Sequence, residues 1–319
     1  MSSLDFSLDE TQQALADAVA ACCHAHEVDA VARSETGSFP GSLWRALGEL
    51  GVLGIAAPGA EGGADELIAA FEALGRAGCP GPLVGAVCAV RLLPEPERDH
   101  VARGACVPAV GQPPLFPWAP AADVFIEVSS GRAWRGEVQG AVESVATLGG
   151  EPWGRVDWAR GESLGSAEDA LLWSDLARGA WLVGAADRLL DEAAEHARTR
   201  EQFGRPIGDF QAVAHPLADS WISLTAARAL VRAAAEPVAR ARGDAGADVG
   251  AARLSAERAA LRASRVAHQT LGALGITVEG PLFHISRRVR QLALAPPGTA
   301  GHAREAVLRS LTLTGGTHA

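Results

Sequence analysis

The feature that most constrains this chain is the length of its alanine-rich helical runs. SAEDALLWSDLARGAWLVGAADRLLDEAAEHARTR, starting at Ser166, keeps apolar residues at helical spacing with no proline or turn cluster. A helix of that length carries an apolar stripe that only other long helices can cover. The sequence offers them. A second helix starts near Asp209 and lines up Val213, Leu217, Trp221, Leu224 and Leu230; a third runs over roughly Val249–Leu271. Shorter helices are expected at Leu282–Leu294 and Ala300–Leu311. Ser166 is expected to cap the first helix, with Asp169 at its third position. Long helices joined by short turns make an antiparallel bundle.

Residues 1–105 also read as helical. Asp9 can cap TQQALADAVAACCHAH; FPGSLWRALGELGVLGIAAP, ADELIAAFEALGRAG and PGPLVGAVCAVRLL follow as three more helices. Between the helical parts, residues 106–165 turn rich in proline, glycine, valine and tryptophan. There ADVFIEV and RAWRGEVQGAVESVATL read as short strands. The expected fold is mainly α and in three parts: a helical domain at 1–105, a small β domain at 106–165 and a helical bundle at 166–319.

Composition excludes several functions. A net charge of −10 argues against a general nucleic-acid binder, and no apolar run reaches membrane-spanning length. All 28 basic residues are arginine, so lysine Schiff-base chemistry and a lysine phosphate loop are ruled out. The five cysteines have no zinc-like spacing, and Met1–Glu10 shows no signal-peptide pattern, so reduced thiols in a cytoplasmic chain are expected. Cys22, Cys23, His24 and His26 lie close in sequence, but neighbours on a helix diverge, so no metal site is expected there.

Two helix breaks depart from core patterning. At the first, Arg198, Arg200 and Arg205 form a positive patch around Gly204, with Phe203 offering a flat apolar ring. Helix-terminal N–H groups beside a guanidinium suit a phosphate or pyrophosphate. The plain alternative is a turn with solvated arginines. At the second, Gln269 precedes Gly272 and Gly275, whose missing side chains allow close backbone approach; a helix cap followed by a loop is the plain alternative.

Together these segments resemble the acyl-CoA dehydrogenase family. The family pattern RxQFGxPIxxFQ stands here as REQFGRPIGDFQ, Arg200–Gln211, and QxxGGxGxTxE stands as QTLGALGITVE, Gln269–Glu279, with Ala273 at the second glycine. The resemblance spans nearly the whole chain. It implies the family's α–β–α architecture, with a reduced middle β domain and a C-terminal antiparallel helical bundle. It also implies FAD at a subunit interface, with Arg200, Phe203, Gln211, Gln269, Gly272 and Gly275 reaching the adenine and diphosphate of a FAD held mainly by a neighbouring subunit.

The family reaction removes two hydrogens from an acyl thioester. A carboxylate takes the α-proton and the flavin takes a hydride from the β-carbon. Many members carry that carboxylate in a late YEGT-like segment, where this chain has LALAPPGTAG, with Pro296 or Pro297 at the place. Others carry it on the first bundle helix, where Ser174 matches and Asp175 is adjacent, making Asp175 the remaining candidate base. Glu279 fills a motif position that the family does not use as the base, and reads as structural. The middle domain also lacks the family's flavin-facing segments.

The resemblance therefore implies a flavoprotein subunit acting on an acyl-CoA or acyl-carrier thioester, completing a FAD site in a homo- or hetero-oligomer. The alternatives are a self-sufficient homomeric dehydrogenase and a structural subunit that binds no cofactor.

Overall fold

The computed structural model describes residues 7–33, 39–147, 149–298, 301, 303–305 and 307–309. The chain opens with α1 (Glu10–Ala25), α2 (Val28–Arg33), α3 (Gly41–Glu49), α4 (Ala64–Ala77), α5 (Leu83–Leu92) and α6 (Glu97–Ala102). Five strands follow: β1 (Pro108–Gly111), β2 (Leu115–Pro117), β3 (Val124–Ser129), β4 (Arg132–Val145) and β5 (Trp153–Ser166). Next come α7 (Glu168–Thr199), the two-residue strands β6 (Glu201–Gln202) and β7 (Arg205–Pro206), and α8 (Gln211–Ala233). The remaining helices are α9 (Ala235–Ala239), α10 (Ala245–Leu271), α11 (Ala273–Ile276) and α12 (Phe283–Leu294).

The central helix is α7, buried on nearly every side from Ala170 to Leu190 and packed against α4, α5, α8 and α10. Its crossing with α4 depends on two glycines. A Cβ on Gly184 would sit 1.9 Å from the Glu72 carbonyl oxygen, and one on Gly75 would sit 1.9 Å from that of Trp181. The backbones therefore touch, and ion pairs rim the contact: Arg76 to Asp187 at 2.5 Å and to Asp191 at 2.6 Å, and Arg232 to Glu72 at 2.8 Å. On α8, Leu217, Leu224 and Val231 recur every seven residues and are buried, which is the stripe that a bundle helix needs.

Helix ends follow local chemistry, with some shifts from the sequence expectation. Asp9 caps α1 as expected: its carboxylate accepts from the Gln12 N–H at 2.9 Å, and the Gln12 side chain accepts from the Asp9 N–H at 3.0 Å. On α7 the cap is Ala167, and Ser166 Oγ accepts only from the Glu168 N–H at 3.3 Å. Asp209 lies in a 3-10 turn, so α8 starts two residues later behind Phe210. The start of α10 is four residues earlier than the apolar pattern placed it. The helix expected at Ala300–Leu311 lies partly outside the described residues.

Strands β1 to β5 form one sheet in the order β1-β3-β4-β5-β2, with β1 and β3 parallel and the other pairs antiparallel. β4 and β5 are fourteen residues each, longer than the short strands expected. Glycines at 136, 140, 154, 161 and 165 interrupt the alternation, and much of the hairpin is exposed, so no apolar periodicity marks its length. A small second core of Ala109, Phe116, Ala119 and Val156 holds the sheet. No described helix is long and apolar enough to cross a membrane.

Candidate functional site

The first motif is an exposed hairpin at the end of α7. Phe203 and Gly204 both have positive φ, 54° and 79°, and join β6 to β7 as a tight two-residue turn. That geometry presents Phe203 at the tip, 92% exposed. Arg205 folds back with its guanidinium 4.2 Å above the Phe210 ring. Arg200, the C-cap residue of α7, is exposed and forms no ion pair among the described residues. Gln211, the first residue of α8, is exposed as well.

The second motif lies at the end of α10. Arg262 on α10 pairs with Asp219 on α8 at 3.0 Å, which sets the register of these antiparallel helices. The first motif leads into the start of α8 and the second leaves the end of α10, so in this helix pair both lie toward the same end of the bundle. Gly272 ends α10 at φ 58° and ψ −129°, a backbone state open to glycine and costly for other residues. Gly275 is buried and donates to the Gly272 carbonyl at 3.0 Å. Leu274, Ile276 and Val278 around it are exposed by 48%, 69% and 41%. Glu279 is an exposed residue of the same loop.

His268, one residue before Gln269, bonds Ser286 Oγ through Nε2 at 2.8 Å. Burial, reinforced by the charge of Arg290, lowers its imidazole below the ordinary value.

Asp175 lies elsewhere, inside the bundle. It is 4% exposed, and its Oδ1 accepts from Arg253 Nη1 at 2.5 Å. Arg253 also bonds Glu257 at 2.8 Å, and Arg178 lies 4.0 Å from the Asp175 carboxylate. Arg178 is fully buried and donates to the carbonyls of Leu292 and Pro297. Burial, with the charge of Arg253 beside it, brings Arg178 down to about 9, so it stays charged at neutral pH. Asp175 is buried, and its carboxylate belongs to a two-cation, two-anion cluster with Arg178, Arg253 and Glu257. Ser174 points into the core and donates to the Ala170 carbonyl at 2.6 Å.

The carboxylate that sequence reasoning missed is Glu151. It lines a cavity of about 40 Å³ between the start of α5, the β2 turn and the end of α12, bounded by Val84, Val110, Trp118, Gln291 and Pro296. Burial raises the Glu151 carboxyl above its usual range, against the pull of Arg288 and of hydrogen bonds from Gly81 and Trp118. No motif marks it, because it sits in a glycine-flanked loop whose position depends on packing against α12. A larger groove of about 560 Å³ runs between α1, α4 and α7, but its arginines Arg76, Arg188 and Arg228 are all ion-paired.

The three-part fold exposes a ring and a guanidinium at one end of its bundle. Comparison with known proteins specifies the class. Residues 9–93 match the acyl-CoA dehydrogenase N-terminal domain and residues 164–312 the acyl-CoA dehydrogenase C-terminal domain. The acyl-CoA dehydrogenase IpdE2 of Mycobacterium tuberculosis is 32% identical over 292 residues, covering 85% of this chain and 88% of its own length. The ChsE4–ChsE5 complex from Mycobacterium tuberculosis superposes with a TM-score of 0.81 at 26% identity, over 99% of this chain and 100% of the matched chain. PigA solved with FAD and proline shares the fold, with a TM-score of 0.82 at 21% identity over 98% and 100% of the two chains. The chain belongs to the acyl-CoA dehydrogenase family.

The two ends of FAD fit this chain differently. The exposed Arg200, Phe203 and glutamines have the chemistry that a diphosphate and an adenine need. A flavin ring with an acyl chain needs a pocket on the order of 300–1,000 Å³, and the cavity beside Pro296 has about 40 Å³.

Proposed function

We propose that this chain is a subunit of a FAD-dependent oxidoreductase acting on the CH–CH bond of an acyl thioester, and that it completes a FAD site across a subunit interface. The observation that carries this reading is the exposed arm at Arg200. Its guanidinium is exposed and forms no ion pair among the described residues, on the same loop that presents Phe203. Phe203, Leu274, Ile276 and Val278 beside it add exposed apolar area of the kind that subunit contacts bury.

Arg200 would hold the diphosphate through charge-assisted hydrogen bonds, and Phe203 would pack on the adenine side. Gln211 and Gln269 would add amide contacts, while Gly272 and Gly275 keep the backbone close. The flavin supplies hydride acceptance when bound. The ring pocket and the proton-accepting carboxylate would come from the partner subunit, because here Asp175 is held in an ion cluster and prolines stand at 296 and 297. We assign Asp175 a structural role. The match to a two-protein complex supports a different chain as the partner. An acyl-CoA, or an acyl group carried on a protein, is the substrate class.

Replacing Arg200 by alanine in the assembled enzyme is the test. This reading expects lowered flavin content with the assembly intact. Unchanged flavin content would favour the cofactor-free structural subunit. Stoichiometric flavin in the chain expressed alone, bleached by an acyl-CoA, would favour the self-sufficient homomer.

A further inference from the structure

Glu151 lies at the meeting point of three parts of the fold. Its carboxylate is 3.3 Å from Arg288 Nε on α12 and accepts from Gln291 Nε2 at 3.4 Å. The Gly81 N–H before α5 and the Trp118 indole after β2 also bond it. Arg288 in turn donates to the Gly78 carbonyl at 2.8 Å, tying the same contact to the end of α4. One carboxylate therefore receives donors from the helical entry domain, the sheet and the bundle.

The loop that carries it is pressed onto α12. A Cβ on Gly149 would fall 1.4 Å from the Gln291 side-chain oxygen, and one on Gly150 would fall 2.3 Å from the Arg287 guanidinium. Thr147 Oγ1 donates to the Glu151 carbonyl at 2.8 Å, and the Trp118 N–H donates to the Pro152 carbonyl at 2.7 Å. The cavity left between these groups is bordered by Pro296, one of the two prolines in the segment where the family resemblance would put a late-segment base.

We infer that Glu151 is a closing pin: it ties the loop before β5 to α12, to Trp118 and to the start of α5, and so shuts the cavity beside Pro296 to flavin- or acyl-sized ligands. This inference rests on the proposed subunit role and explains how the chain would leave ring and substrate binding to its partner. A carboxylate held by an ion pair to Arg288 and a hydrogen bond from Gln291 is fixed in place beside a cavity too small for either ligand.

The test uses the complex of this chain with its partner subunit, in wild-type, Glu151→Gln and Glu151→Ala forms. Flavin content, turnover and unfolding midpoint are measured for each, and an acyl-CoA is titrated into the chain alone. A pin predicts no saturable acyl-CoA or FAD binding by the chain alone. It also predicts a lowered unfolding midpoint in both variants, most in the alanine form, with flavin content and turnover per flavin unchanged. A Glu151→Gln complex that keeps its fold and flavin but loses turnover by a hundredfold or more would overturn the inference, because Glu151 would then be a proton acceptor. Saturable acyl-CoA binding by the chain alone would also overturn it. Loss of flavin on Arg200→Ala reports on the interface reading separately, since among the described residues no hydrogen bond or ion pair joins Arg200 to this loop.

Discussion

Arg200 at the end of α7 and the buried pair Arg178, in the middle of α7, and Arg253, on the facing α10, are chemically identical and do opposite things. Arg200 stands at the surface with an exposed phenylalanine nearby and no ion pair among the described residues. Arg178 and Arg253 are fully buried and bound up with Asp175, Glu257 and two backbone carbonyls. A buried ion group held by neighbouring charges and carbonyls reports on folding. An exposed one beside uncovered apolar surface reports on something that arrives from outside. The difference separates the residues that build this protein from those that meet a ligand.

The comparison can be broken most forcefully in the interior. Arg253→Ala would leave Asp175 and Glu257 facing each other without their shared cation, costing about 3–5 kcal/mol. Denaturant unfolding of this variant beside Arg200→Ala is the check. A large loss for the first and none for the second is expected; equal losses would contradict the division. At the arm, Arg200→Ala should weaken FAD binding in the assembled enzyme by about 2 kcal/mol, roughly thirtyfold, read as the flavin dissociation constant.

Smaller effects sharpen the picture at the second motif. Gly272→Ala places a side chain on a backbone that glycine alone adopts easily, although nothing lies within 4 Å of the new Cβ. The cost is strain alone, about 1–2 kcal/mol, and the unfolding midpoint measures it. The pH response of His268 is subtler. Because its folded value is lowered, the stability it permits is present above the ordinary imidazole value of 6.5 and is lost as pH falls through the lowered value. Melting temperatures from pH 7.5 down to 5 should fall less steeply in His268→Gln than in the wild type. Parallel curves would contradict the assignment.

The bundle was legible in the sequence because helical periodicity is local and repeats over many residues. The arm was legible because REQFGRPIGDFQ is contiguous, so its turn, exposed ring and arginines come as one unit. The strands β1, β2 and β5 were not, since glycines and charges obscure the alternation in β5 and the other two are three or four residues long. Asp175 illustrates a different limit. Its neighbours in sequence show a helix, but its fate depends on Arg253, 78 residues away, and no local pattern encodes that pairing. Glu151 was invisible for the same reason, its donors coming from residues 81, 118, 288 and 291.

The most direct test of the central claim is the visible absorption spectrum of the purified chain, expressed alone and then with a candidate partner subunit of the same family. A colourless chain that joins a yellow, active complex, and whose Arg200→Ala form yields a paler one, is the result expected. A chain that is yellow alone, with one flavin per chain that bleaches on adding an acyl-CoA, would contradict the account.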